Sequence, residues 1–217
     1  MNIEQSNHKI IGWSYFVTIP NTDNLFVIIP KNGCSTLKGI NQNKHELNEE
    51  LHKDQNRKLY KNWRTNDKYN KCVVWRDPIE RWVSIWNNRL YWNTKRYWGG
   101  DKVNSVDKFI DITLHEIYNR ELNNLTFDEH FIPQYYWYNL DDIDTVVDIK
   151  DLDNYFNELG VTGYTKLNVS PKTKKTLRVE DLTEIQLNKL KHIYAIDYLL
   201  YEEIKKSGKL HESTILQ

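Results

Sequence analysis

Short apolar runs and longer helical repeats succeed one another along the chain. Ile11 to Ile19 is aromatic and β-branched and predicts a strand, closed by the turn Asn21-Thr22-Asp23-Asn24. Leu25-Phe26-Val27-Ile28-Ile29 is continuously apolar, the pattern of a strand covered on both faces. A polar loop with one glycine follows, and then a helix from Ser35. Residues 41–70 are polar with weak helical periodicity. Lys71-Cys72-Val73-Val74-Trp75 predicts a second buried strand. Pro78 suits a first helical turn, and Trp82, Ile85, Trp86 and Leu90 recur at helical spacing to about Tyr91.

Gly99-Gly100 punctuates the chain, and a further helix runs through Val106, Phe109, Ile110, Ile112, Leu114 and Ile117, capped near Ser105. Thr145-Val146-Val147-Asp148-Ile149 is a third strand, and Leu152 to Leu159 a short helix stopped by Gly160. Apolar spacing from Leu182 to about Ile204 is helical, with a break near Ala195. Strands alternating with helices imply an α/β fold with a mainly parallel sheet. No internal repeat or linker divides the chain, so a single domain over 1–217 is expected.

Composition fits that picture: 217 residues suit one α/β domain, and eight Trp with fourteen Tyr allow a sizeable core. The formal net charge is zero, which disfavours a general nucleic-acid binder. The balance hides a split. Residues 1–100 hold sixteen Lys/Arg against nine Asp/Glu, a net of +7, and the remainder has a net of −7. A basic first half fits a polyanionic ligand. Cys34 and Cys72 show no metal spacing and read as buried thiols. No apolar run reaches signal-peptide or membrane-span length, so the chain reads as cytoplasmic, with no membrane span.

The candidate chemistry starts at Pro30-Lys31-Asn32-Gly33-Cys34-Ser35-Thr36. A buried strand, a tight turn and a helix start bring backbone N–H groups and the positive end of the helix dipole into one concavity. Lys31 adds charge, Ser35 and Thr36 add hydroxyls, and Gly33 is expected to let the backbone approach a ligand without a Cβ. The lysine precedes the glycine, unlike the GxxxxGK[ST] loop of nucleoside triphosphatases. Alone, the segment fits an anion cradle or an ordinary strand–turn–helix equally well. Arg76-Asp77-Pro78-Ile79-Glu80-Arg81-Trp82-Val83-Ser84 then follows a second buried strand. Arg76 offers bidentate charge and Ser84 a hydroxyl for one phosphate. A structural ion pair of Arg76 with Asp77 is the plainer alternative, but two anion motifs at adjacent strand ends are hard to explain that way.

These residues carry a resemblance. Ile29 to Lys38 is similar to the 5′-phosphosulfate loop of carbohydrate sulfotransferases, the chondroitin, dermatan and HNK-1 branch with its bacterial and viral relatives. Arg76 to Asn87 resembles that family's 3′-phosphate motif, and Asp128-Glu129-His130-Phe131-Ile132-Pro133-Gln134 its third block. The resemblance spans roughly Phe26 to Tyr201, with cofactor motifs at 25–40 and 71–90. It implies a P-loop-NTPase-like three-layer domain, a central mainly parallel sheet flanked by helices. It also implies 3′-phosphoadenosine 5′-phosphosulfate (PAPS) as donor, 3′,5′-adenosine bisphosphate as product, and no metal. On this resemblance Lys31 contacts the phosphosulfate and its bridging oxygen. Asn32, Gly33, Cys34, Ser35 and Thr36 cradle that group, and Arg76 and Ser84 hold the 3′-phosphate. The chain departs from the Golgi enzymes in lacking a membrane anchor and their later cysteines, which leaves the acceptor less constrained than the donor.

Sulfuryl transfer needs an in-line nucleophile, charge stabilisation and a proton acceptor. Lys31 is expected to stabilise charge on the leaving oxygen. His130 is the first candidate base, since imidazole suits neutral pH. His45, His52 and the Glu46/Glu49/Glu50 group compete for that role, and His115 and His192 read as structural. Tyr91-Trp92, Tyr97-Trp98 and Tyr135-Tyr136-Trp137-Tyr138 are divided between core and sugar-stacking readings. Arg89, Lys95 and Arg96 suit an anionic acceptor or a solvated face, and Lys172, Lys174 and Lys175 a closure over the nucleotide. The expected acceptor is a hydroxyl on a saccharide, glycan or other small molecule. The alternatives are a nucleotide-dependent small-molecule kinase and a non-catalytic nucleotide-binding protein.

Overall fold

The computed structural model describes residues 15–42, 64, 66–91, 103, 105–121, 128–166 and 176–213. In chain order the elements are β1 (Tyr15–Thr18), β2 (Asn24–Ile28), α1 (Cys34–Gln42), β3 (Asn70–Trp75), α2 (Pro78–Tyr91), α3 (Val106–Glu121), β4 (Thr145–Asp148), α4 (Leu152–Glu158), α5 (Glu184–Ile193) and α6 (Ala195–Ser207). The contacts divide the chain into two compact units. One comprises 1–76, 134–168 and 200–217, the other 77–133 and 169–199.

The first unit is built on a sheet of order β1-β2-β3-β4. β1 pairs antiparallel with β2, and β2–β3 and β3–β4 are parallel. All five residues of β2 are buried, as a continuous apolar run requires. Side chains alternate across the sheet. Phe26, Ile28, Cys72, Val74 and Val147 share one face with Leu37 of α1 and with Leu152, Tyr155 and Phe156 of α4. Trp75, one residue on from Val74, stacks on Tyr201 of α6 with ring centroids 5.0 Å apart. Helices therefore cover both faces, and the fold is α/β with a four-stranded, mostly parallel central sheet.

A strip that the sequence pattern does not announce extends β4. Val146 N–H donates to the Lys209 carbonyl at 2.8 Å, and His211 N–H to the Val146 carbonyl at 2.8 Å. Three residues are too few to show a strand period.

The second unit is helical, with α2, α3 and α5 around Trp82, Trp86, Phe109, Phe131, Leu190 and Tyr194. Phe109 lies 5.2 Å from Trp82 and 5.1 Å from Trp86 between ring centroids. The Trp82 indole N–H is satisfied by Thr113 Oγ1 at 2.8 Å. The expected helical break falls at Tyr194 (φ −102°, ψ 22°), whose side chain is fully buried. His115 and His192 lie on α3 and α5 as expected, and both are exposed. Among the described residues, no helix is long and apolar enough to cross a membrane.

Candidate functional site

Parallel register brings Val27 level with Val73, so the carboxyl ends of β2 and β3 lie side by side. The loops that leave them are therefore neighbours, the usual place for a ligand in an α/β sheet. After β2 the chain turns at once. Asn32 N–H donates to the Ile29 carbonyl at 3.1 Å, Pro30 takes the first corner, and Lys31 takes the second with φ +70°. Proline followed by a positive φ is the signature of a type II turn, which ordinarily has glycine or asparagine at the second corner. A lysine there costs roughly 1 kcal/mol of left-handed strain. Its side chain is largely buried, at 9% exposure.

Gly33 also has positive φ, +76°, and its carbonyl accepts the first bond of α1 from Leu37 N–H at 3.0 Å. A Cβ on Gly33 would meet Leu152 Cδ2 at 3.3 Å. The glycine thus serves the backbone turn and the packing against α4. The missing Cβ faces Leu152 of the core.

Cys34, Ser35 and Thr36 form the first turn of α1. Cys34 packs partly buried against the core, while Ser35 and Thr36 are buried. Ser35 Oγ and Asn32 Oδ1 are enclosed without a hydrogen-bond partner. A buried polar atom left so costs about 1–3 kcal/mol. Ser35 Oγ, at a helix start with its N–H groups, fits an anionic oxygen. Asn32 Oδ1 is an acceptor and does not. The two left-handed residues and the helix start make a concave set of donors suited to a phosphate-like group.

Arg76 leaves β3 beside this loop and donates from Nη1 to the Lys31 carbonyl at 2.8 Å. Lys31, Asn32 and Arg76, all expected at the site, are therefore brought together. Gln134, a residue of the third sequence block, lies at their centre with no exposure. Its Oε1 accepts from Arg76 N–H at 3.2 Å and from Asn32 Nδ2, and its Nε2 donates to the Arg76 carbonyl at 2.8 Å. Asn32 Nδ2 also donates to the Val74 carbonyl at 2.7 Å. In the sequence Gln134 stands only as the last residue of the third block.

The second unit holds the other expected residues. Asp77 is the cap of α2, its Oδ1 accepting from Ile79 N–H at 2.9 Å and Glu80 N–H at 3.0 Å. Ser84 lies half-buried on the second turn of α2. His130 sits in a 3-10 turn, Glu129–Phe131. Asp128 Oδ1 accepts from His130 N–H at 3.0 Å and lies 2.7 Å from Nδ1. A carboxylate only accepts, so Nδ1 is the donor in this pair. Arg81, fully buried, donates to the carbonyls of His130 at 2.8 Å and Ile132 at 3.0 Å. The Tyr194 hydroxyl donates to the Phe131 carbonyl at 3.0 Å. Three successive carbonyls are thus pinned by buried side chains, and the imidazole is held at Nδ1 by Asp128.

The aromatic run divides between core and rim. Trp137 and Tyr138 are buried, and Tyr135 and Tyr136 are partly buried and meet edge to face at 5.4 Å. His45, His52, Glu46, Glu49, Glu50, Trp92, Lys95, Arg96, Tyr97, Trp98, Lys172, Lys174 and Lys175 lie outside the described residues, as do the side chains of Arg89 and Tyr91.

A family model described as the sulfotransferase family matches residues 14–202. No curated protein and no solved structure matches the chain. The match covers far more than half of the chain and includes both strand-end loops and the Asp128–His130 turn, and with that extent the chain belongs to the sulfotransferase family, enzymes that transfer sulfate to an acceptor.

Proposed function

We propose that this enzyme takes PAPS as its donor and sulfates a hydroxyl on a saccharide or glycan. The reading rests chiefly on one observation: the strained Lys31 turn, the α1 start and Arg76 converge at the ends of two parallel strands. When bound, the donor supplies an activated sulfuryl group on a phosphate leaving group. The backbone N–H groups at 33–36 and the hydroxyls of Ser35 and Thr36 hold the 5′ end. Arg76 takes the 3′-phosphate. Lys31 neutralises charge on the bridging oxygen as its bond to sulfur breaks.

His130 Nε2 accepts the acceptor's hydroxyl proton as that oxygen bonds to sulfur, and Asp128 steadies the imidazolium that results. The products are a sulfate ester and 3′,5′-adenosine bisphosphate, with the proton left on His130 and then lost to water. The chemistry asks for positioning and fixed charge and has no step that needs a metal. Tyr135 and Tyr136 offer ring faces to a sugar in this reading.

The test is transfer of a radiolabelled sulfuryl group from PAPS to a panel of neutral and anionic saccharides. Label should move with wild type and not with Lys31→Ala. His130→Ala should lower kcat by about 10²–10⁴-fold and leave bisphosphate affinity within about threefold of wild type. Full turnover by His130→Ala would remove it as the base. Label transfer undiminished in Lys31→Ala would remove the loop from the mechanism.

A further inference from the structure

Gln134 reaches both halves of the proposed donor site without belonging to either. Its carboxamide has one acceptor and one donor group, and each is used. Oε1 accepts from the backbone N–H of Arg76 and from the side chain of Asn32, while Nε2 donates to the Arg76 carbonyl. The Arg76 backbone is thus gripped on both its N–H and its C=O, and the same side chain holds the residue between Lys31 and Gly33. Arg76 closes the circuit through its guanidinium, which donates to the Lys31 carbonyl at 2.8 Å. Asn32 is anchored a second time, to the Val74 carbonyl at 2.7 Å in β3. Every member of this circuit belongs to the first unit, and Gln134, Asn32 and Lys31 are buried.

Backbone pairing within the sheet stops at the strand ends, so it does not by itself fix two loops that diverge beyond them. β2 and β3 are in register only as far as Val27 and Val73. From there to the loop and to Arg76, the chain is cross-linked by the Asn32–Val74, Gln134–Asn32, Gln134–Arg76 and Arg76–Lys31 bonds. A side-chain amide is suited to this work. It satisfies two buried donors and one buried acceptor at once, and an apolar side chain of the same length satisfies none.

We infer that Gln134 is a positioning residue that fixes the spacing between the 5′-phosphate loop and Arg76, so that a ligand with both phosphates binds as one unit. This rests on the donor reading above. Gln134 itself touches no phosphate in this account. Its contribution appears in how strongly the two phosphate contacts reinforce each other.

The experiment is calorimetric titration of 3′,5′-adenosine bisphosphate, adenosine 5′-monophosphate and adenosine 3′-monophosphate, on wild type and on Gln134→Met. Supporting groups of this kind cost about tenfold or more when removed. Gln134→Met should weaken the bisphosphate by at least about tenfold and each monophosphate by no more than about threefold. Unchanged bisphosphate affinity, or an equal loss for all three ligands, overturns the inference.

If Gln134→Met does not fold, Gln134→Glu gives the reading. It keeps both accepting contacts, loses the bond donated to the Arg76 carbonyl and adds a buried negative charge, whose general cost is read from the two monophosphates. A selective loss for the bisphosphate, smaller than that expected of Gln134→Met, supports the inference, and wild-type affinity overturns it. Failure of wild type to bind the bisphosphate at all would instead bring down the donor reading, and the inference with it.

Discussion

Lys31 occupies a backbone position that glycine would fill more cheaply, at φ +70° after Pro30. Strain of this kind is held where a side chain is needed in one place. Lys31→Gly should therefore raise the melting temperature by about 2–4 °C, the equivalent of roughly 1 kcal/mol in a chain of this size. It should also abolish sulfuryl transfer. A drop in melting temperature would mean that the turn is not strained, or that the lysine stem contributes more packing than the strain costs. The same corner shows what single residues reveal to a sequence reader. Lys31, Ser35 and Arg76 were legible because charge and hydroxyls beside a helix start have few bland uses. The left-handed φ of Lys31 was not, because no residue type announces strain. The second demand on Gly33 has no sequence signal, since only the packed structure brings Leu152 to 3.3 Å from where a Cβ would sit.

At the level of elements, hydrophobic period located most of the chain. Pro78 and the Trp82/Trp86 spacing mark α2 from start to finish, and Gly160 ends α4 through a positive φ of 71°. What period cannot show is the polar network that ties β2, β3 and α4 at the other end of the sheet. Asn70 Nδ2 donates to Asn24 Oδ1 at 2.7 Å, and the Tyr155 hydroxyl donates to the same oxygen at 2.9 Å. The Cys72 thiol sits 3.3 Å from it. Burial pushes the Cys72 thiol up from 9.0 to about 12, partly offset by its bond to Tyr155.

The sign of the resulting pH effect follows from which state releases the proton first. The unfolded chain loses the thiol proton above about 9, and the folded chain holds it until about 12. Stability from this group is thus complete below 9 and is lost as pH rises through that window. Urea unfolding of wild type and Cys72→Ala should show a steeper alkaline loss in wild type. Iodoacetamide at neutral pH should label Cys72 only after unfolding. Rapid labelling of Cys72 in the native protein would contradict the buried network.

Across the whole molecule, the sheet unit carries Lys31, Asn32 and Arg76, and the helical unit carries Ser84 and His130. The alternation of strands and helices in the sequence indicated the α/β sheet. It did not indicate the second core, because Trp82, Phe109, Phe131 and Tyr194 come from four separate stretches and meet only on folding. Gln134 escaped notice as a site residue for a related reason. Its partners lie 58 and 102 positions away, and an uncharged amide gives no local sign of them. Both cationic residues of the candidate donor site, Lys31 and Arg76, fall within the basic residues 1–100.

The central claim is that two strand-end loops form one site for a donor with two phosphates. It is tested most directly by calorimetric titration of 3′,5′-adenosine bisphosphate in a chelator-treated buffer. The account predicts one molecule bound per chain, with affinity reduced at least about tenfold by Arg76→Ala and by Lys31→Ala, each the loss of one charge-assisted contact. Binding that needs magnesium and favours adenosine triphosphate, or that is indifferent to both substitutions, would contradict it.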